Sequence, residues 1–270
     1  MKTIVDISHH QVGIILKSLT GVDDVIYRAS IGSTSVDKSF HEFMKQNSKP
    51  FAMYVASYSK NPTEAKEEAK YICSLAEQYG VKPIICFDFE YFSAKYIKDT
   101  FKVETTPYLV QSMTEAFCDE CIRRGYRAGV YFNLDYLLRF YTKEFFIKHP
   151  NYFKWYARPG LATPDYKCDL WQYASNSGAE FGYYKNIDKN LLINDEFATV
   201  YVEPMQPINK DPIQLEIGYA SAGDLNKIKT QVEGLGIEAK IVADGYIVTG
   251  VASAGDQCYL MITFKLQCFI

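Results

Sequence analysis

The chain has 270 residues, 48% of them hydrophobic and 23% charged, the balance of a globular protein with room for an α/β barrel of about 200 residues and something smaller. A net charge of -3 and a pI near 5.9 argue against a nucleic-acid binder, whose usual footprint is a basic field. No segment reaches the roughly 20 apolar residues of a membrane span, and the N-terminal apolar run before Asp6 is too short for a signal peptide. Seven scattered cysteines do not form a disulfide framework. Cys118 and Cys121 make a C-x-x-C, but inside a helical pattern and with no second pair. Only four histidines occur, none at H-x-x-x-H spacing, so neither a metal nor a cofactor is expected.

In chain order, residues 2–7 (KTIVDI) read as a buried strand ending near Asp6, Val12 to Leu19 as a short helix, and Asp24 to Gly32 as a second strand. Asp37 to Gln46 has helical spacing, and Phe51 to Ser57 reads as a strand. Asn61-Pro62-Thr63-Glu64 is an N-cap signature opening a helix that Gly80 ends. Pro83 to Phe92 (PIICFDFEYF) is a strand carrying two acids. Side chains two apart in a strand share a face, so Asp88 and Glu90 point one way, about 7 Å apart, while Phe87, Phe89 and Tyr91 point into packing. Thr106-Pro107 opens a helix to Gly125, Arg127 to Asn133 is a strand, Leu134 to His149 is helical, and Tyr152 to Arg158 and Asp169 to Ala174 are strands.

Seven strands alternating with helices predict a parallel sheet, and the count favours a closed barrel over an open one. No G-x-G-x-x-G follows the first strand and no P-loop occurs. A barrel gathers its reactive groups at the C-terminal ends of its strands, where Asp6, Asp88, Glu90, Tyr54, Tyr131, Asn133 and Trp171 fall. Two neighbouring carboxyls push their proton affinities apart, which acid-assisted cleavage of a glycosidic bond requires. The bland alternative is that D-x-E arises by chance and surface strands carry acids freely. The 22 Tyr and 17 Phe suit a cleft for sugar rings. Tyr54, Tyr131, Trp171 and Tyr173 are the candidate stacking residues, although Trp171 and Tyr173 alternate with Leu170 and Gln172 and one of those faces must be core. Arg28 is read either as steering anionic groups or as a structural ion pair.

Residues 201–212 carry three prolines without periodicity and read as a linker between a domain over 1–200 and a small α+β unit over 213–270. In the small unit Ser221-Ala222-Gly223-Asp224 recurs as Ser253-Ala254-Gly255-Asp256, each after a predicted strand, giving a β-α-β-β-α order. Met205, inside the linker, is a candidate internal start.

With these positions fixed, the first 200 residues resemble the glycoside hydrolase family 25 lysozymes, Chalaropsis-type N-acetylmuramidases common among phage endolysins. The resemblance is carried by Asp6-Ile7-Ser8, Tyr27 to Gly32, Asp88-Phe89-Glu90, Tyr131 with Asn133, Trp155 with Ala157, Trp171-Gln172-Tyr173, and Asp188 in NIDKN. It implies an irregular, flattened, TIM-like β/α barrel cutting the bond between N-acetylmuramic acid and N-acetylglucosamine in peptidoglycan without a metal. Glu90 is then the general acid, and Asp6, Asp88 and Asp188 line the same groove, with a loop-fixing hydrogen bond as the structural alternative for Asp6 and Asp188. Arg28, Tyr54, Tyr131, Asn133, Trp171 and Tyr173 become substrate contacts. His9-His10 departs from the usual Trp or Asn after the first strand. The implied partners are glycan strands, reached from the host cytoplasm after release, and neither nucleic acid nor membrane. The small unit distantly looks like the sporulation-related repeat that binds glycan, with dimerisation as its alternative. Rival readings of the whole are a chitinase-like N-acetylglucosaminidase and a wall-binding protein without turnover.

Overall fold

A computed structural model describes residues 1–199 and, further on, 215–217, 238–242 and 245–249. The chain divides into two units, Met1–Met205 and Gln206–Ile270. In the second, β10 (Leu215–Ile217), β11 (Glu238–Val242) and β12 (Gly245–Thr249) form an antiparallel sheet in the order β10-β12-β11. The expected helices of that unit, the linker over 201–212 and Met205 lie outside the described residues.

The first unit is built on β1 (Thr3–Ile7), β2 (Asp24–Ile31), β4 (Ala52–Ala56), β5 (Ile84–Asp88), β6 (Ala128–Asn133), β7 (Phe153–Ala157), β8 (Leu170–Gly178) and β9 (Tyr183–Leu192), with the short β3 (Ser35–Val36) on the edge of β2. Neighbours from β2 through β8 pair in parallel, and β1 pairs in parallel with β2. The ring is closed by β9, which runs antiparallel to both β8 and β1. The seven expected strands are therefore present, and the closing strand is an eighth that the sequence pattern did not reveal.

Alternation along each strand divides the core in two. Ile4, Ile26, Ala52, Ile84, Cys86, Phe153, Trp155, Leu170 and Leu192 pack together inside the barrel. Their neighbours Val5, Tyr27, Met53, Phe87, Val130, Tyr156 and Trp171 pack outward with the helices. Burying a side chain of this size stabilises by about 1.5–3 kcal/mol, and both faces of the barrel wall draw on it. Gly129 belongs to the tight interior: a Cβ there would lie 2.3 Å from the carbonyl oxygen of Phe153.

Helix α1 (Phe40–Gln46) and helix α2 (Pro62–Gln78) precede β5, and the N-cap Asn61 of α2 accepts from Glu64 N–H at 2.9 Å. Helix α3 (Tyr91–Phe101) follows β5 directly and corrects the expectation of a strand to Phe92: β5 ends at Asp88, and Tyr91 is 64% exposed on the helix instead of packing with Phe87 and Phe89. Helix α4 (Pro107–Arg123) begins at the N-cap Thr106, which accepts from Leu109 N–H at 3.1 Å. The single helix expected over Leu134 to His149 is two, α5 (Leu134–Arg139) and α6 (Lys143–Lys148), because Thr142 caps a second start by accepting from Phe145 N–H. Val12 to Leu19 holds only a 3-10 turn at Leu16–Ser18, preceded by another at His9–Gln11. A last short helix, α7 (Glu196–Thr199), follows β9. The C-x-x-C lies on α4 with both thiols buried. Cys121 Sγ sits 3.7 Å from Cys73 Sγ, and burial pushes the Cys121 thiol well above its ordinary range. These cysteines pack in the helix-side core.

Candidate active site

At the C-terminal end of the parallel strands the inward positions turn from apolar to polar. They line a cavity of about 180 Å³. Asp6 comes from β1, Arg28 from β2, Tyr54 from β4, Asp88 from the last residue of β5, Tyr131 from β6, Trp155 from β7, Gln172 from β8 and Asp188 from β9. Glu90 joins them because it is the N-cap of α3 and stays extended (φ -122°, ψ -170°), so it keeps the inward parity of Cys86 and Asp88 after the strand has ended. Its backbone N–H donates to Ser93 Oγ at 3.3 Å, and its carbonyl accepts from Ala94 N–H at 2.9 Å. Asp6 and Asp188 are direct partners across the antiparallel β1–β9 pair. The closing strand thus brings a carboxyl to the opposite wall.

A hydrogen-bond chain fixes the floor. Tyr131 OH donates to Gln172 Oε1 at 2.9 Å, Gln172 Nε2 to Asp6 Oδ2 at 3.0 Å, Asn190 Nδ2 to the same oxygen at 2.8 Å, and Trp155 Nε1 to Asn190 Oδ1 at 2.8 Å. The rings of Tyr131 and Tyr54 meet Trp155 edge-on at 4.8 and 5.7 Å between centroids. Asn133 Nδ2 donates to Glu90 Oε1 at 3.3 Å while its Oδ1 caps α5 by accepting from Tyr136 N–H. Arg28 is tied to the buried Asp37 by Nε at 2.8 Å and also meets His9 Nδ1. The ion pair holds it in the cavity wall.

Burial raises the proton affinity of all four carboxyls. Burial, then the Asp188 charge, push Asp6 up to about 8, against its hydrogen bonds from Asn190 and Gln172. Asp88 is raised well above the usual carboxylate range by burial and by Glu90, with Arg28 opposing, and its Oδ1 is buried without a hydrogen-bond partner. Glu90 is raised by burial, opposed by the Asn133 hydrogen bond and reinforced by Asp188. Asp188 is raised by burial, opposed by Ser175 and His10. Such mutual repulsion favours a cluster in which protonated and ionised carboxyls stand side by side, the condition for donating a proton to a leaving oxygen while a neighbouring carboxylate faces developing positive charge. Among the described residues no group of three or more His, Cys, Asp or Glu side chains is set to hold a metal ion.

Residues 5–180 match the family described as Glycosyl hydrolases family 25. The chain belongs to that family. As a family 25 member it is a glycoside hydrolase, and its barrel is the fold seen in solved relatives of low identity. The CTP1L endolysin is 20% identical over 73% of this chain and 68% of its own, with a TM-score of 0.56. The catalytic domain of endolysin ply40 from bacteriophage P40 of Listeria monocytogenes is 21% identical over 73% of this chain and 96% of its own, with a TM-score of 0.55. The modular autolysin LytC from Streptococcus pneumoniae, solved with a synthetic peptidoglycan ligand, is 24% identical over 70% of this chain and 46% of its own, with a TM-score of 0.54. No curated protein matched the chain.

Of the residues singled out in the sequence, Asp6, Asp88, Glu90, Asp188, Arg28, Tyr54 and Tyr131 line the one cavity. Asn133 stands behind Glu90 as its hydrogen-bond donor. Trp171 and Tyr173 are corrected: β8 turns them outward, where they pack with the helix-side core, and Trp171 Nε1 donates to the Arg158 carbonyl oxygen at 2.9 Å. The residue between them, Gln172, faces the cavity. Sequence reasoning also missed Asn190, although Asp188 shares its parity on β9, and gave no role to Ser8, His10 and Gln11, which line the cavity from the turn after β1.

Proposed function

We propose that this glycoside hydrolase is a muramidase, cleaving the β-1,4 bond between N-acetylmuramic acid and N-acetylglucosamine in peptidoglycan with Glu90 as general acid. The observation that carries the reading is the convergence of four carboxyls on one cavity, with Glu90 held toward its protonated form and aimed by Asn133. Glu90 gives its proton to the glycosidic oxygen as that bond breaks. An ionised Asp88 or Asp188 stabilises the oxocarbenium-like charge or orients the substrate's own acetamido group, and water completes the hydrolysis. Asp6, hydrogen-bonded by Gln172 and Asn190, sets the charge of the cluster. Tyr54, Tyr131 and Arg28 are the sugar contacts. Glycan strands are the partner, a reading supported by the ligand in the LytC structure, and the chain reaches the wall after release from the cell that makes it. No helix of the described residues is long and apolar enough to cross a membrane. Residues 213–270 serve as a wall anchor, with self-association as the competing role; retention of that segment on purified walls decides between them.

Glu90→Gln removes the transferable proton with little change of shape. Lytic activity on purified walls is expected to fall about 100-fold or more, and products identified by mass should end in reducing muramic acid. Near-normal activity in the variant would overturn the role of Glu90. Reducing N-acetylglucosamine ends would instead make the chain a chitinase-like N-acetylglucosaminidase, and binding without new reducing ends a wall-binding protein.

A further inference from the structure

A second cavity, of about 520 Å³, lies beyond the C-terminal ends of β2 and β4, where the chain runs on from Arg28 to Ile31 and from Tyr54 to Tyr58. It is thus at the same end of the barrel as the carboxyl cluster and has different walls. Tyr58, Tyr96 and Phe101 supply aromatic faces, Tyr96 meeting Tyr58 at 5.1 Å and Phe101 at 5.8 Å between centroids. Tyr96 and Phe101 are 44% and 43% exposed, so α3 offers these rings to solvent. Two acids of α2, Glu64 and Glu68, line the same space. Glu68 is only 3% exposed. Its Oε1 accepts from Tyr58 N–H at 3.0 Å, and its Oε2 is buried with no donor at close hydrogen-bond distance; burial raises its proton affinity, against the Ser57 and Ser59 hydroxyls that face the carboxyl.

A buried carboxyl oxygen lacking a donor costs stability unless something supplies one. Aromatic faces beside carboxylates are the arrangement that recognises an ammonium group. The chain's own behaviour supports that chemistry: Lys60 Nζ sits 4.3 Å over the Phe101 ring and pairs with Glu64. We infer that this cavity is an ammonium-binding subsite that takes a primary amine of a wall fragment, with Glu68 as the acceptor and Tyr96 as the aromatic face, beside the Glu64 and Phe101 that already hold Lys60. Two sources carry that group, the side-chain ammonium of a diamino acid in a peptide stem and the free amine of a de-N-acetylated glucosamine. The link to wall fragments rests on the muramidase reading; the binding chemistry itself does not.

The test is calorimetric titration of the full chain with four probes. Nα-acetyl-lysine methylamide carries one ammonium, its norleucine counterpart none, and glucosamine is set against N-acetylglucosamine. Saturable binding of the lysine probe or of glucosamine, absent for its uncharged partner, is expected and identifies the source. Affinity should fall at least about tenfold in Tyr96→Leu, on an exposed helix face, and in Glu68→Gln, which keeps the acceptor for Tyr58 N–H. Equal binding of charged and uncharged probes, no saturation, or unchanged affinity in both variants would overturn the assignment. None of the probes contains a glycosidic bond between two sugars, so their failure leaves the cleavage reading standing. Binding without wall cleavage would sink that reading instead.

Discussion

Replacing Asp6 by Asn should make the protein more stable at alkaline pH and change little in acid. The native environment raises this carboxyl from the ordinary 3.8 to about 8, first by burial and then by the charge of Asp188. Between those two values the folded chain binds a proton that the unfolded chain has released. Stability therefore falls as pH rises through the window, by up to about 1.4 kcal/mol per pH unit for one group. Four units set a ceiling of about 6 kcal/mol. Part of the rise comes from the Asp188 charge and belongs to the pair, so roughly 3 kcal/mol is expected for Asp6 alone. Asn keeps an oxygen for the Gln172 and Asn190 donors and cannot ionise. In thermal melts the variant should match wild type near pH 4 and exceed it near pH 8.5 by about 6–12 °C, taking 2–4 °C per kcal/mol for a domain of this size. Parallel pH profiles, or a variant that is the less stable one at pH 8.5, would refute a proton held on Asp6.

Asn133→Ala removes the hydrogen bond that holds the Glu90 proton affinity down. A general acid must be protonated to act, so the alkaline limb of the pH–rate profile for wall cleavage should move to higher pH; the lost cap on α5 should also cost about 1 kcal/mol in urea unfolding. Gly129→Ala drives a Cβ to 2.3 Å from the Phe153 carbonyl oxygen and 2.6 Å from its Cβ, inside the barrel. A loss of about 3 kcal/mol or more is expected, read as a lower urea midpoint. If Met205 is used as a second start, mass spectrometry of the expressed product should show a short chain beginning there, and Met205→Leu should remove it; full-length chain alone would count against the idea.

Alternation and helix punctuation made most of the barrel legible in the sequence. The caps at Asn61 and Thr106 are formed as the motifs indicate, because each puts an acceptor within reach of an otherwise unpaired N–H two or three residues on. The closing strand was not legible. Tyr183 to Leu192 (YYKNIDKNLL) mixes lysines and asparagines with its apolar residues: Tyr184 to Asn186 are exposed, Lys189 is buried and paired with Glu180, and Asp188 and Asn190 turn into the polar end of the barrel. It showed neither the buried run of a parallel strand nor a clean two-residue alternation. Asp188 was consequently found through family resemblance and not through its strand, and Asn190, which shares its face, was not found at all.

The aromatic residues of β8 illustrate a deeper ambiguity. In an open sheet with one wet face, alternation tells which side is core; in a barrel wrapped by helices both sides are core, so Trp171 and Tyr173 on one face and Leu170 on the other give no direction. The discriminating residue is Gln172. Outside, β8 packs against the helix-side apolar core, where an amide would stay unpaired at a cost of about 1–3 kcal/mol. Inside, Asp6 accepts from its Nε2 and Tyr131 donates to its Oε1, so both ends are satisfied. The amide of Gln172 therefore points toward the cavity, and its apolar neighbours Trp171 and Tyr173 away from it, however well their rings would suit a sugar.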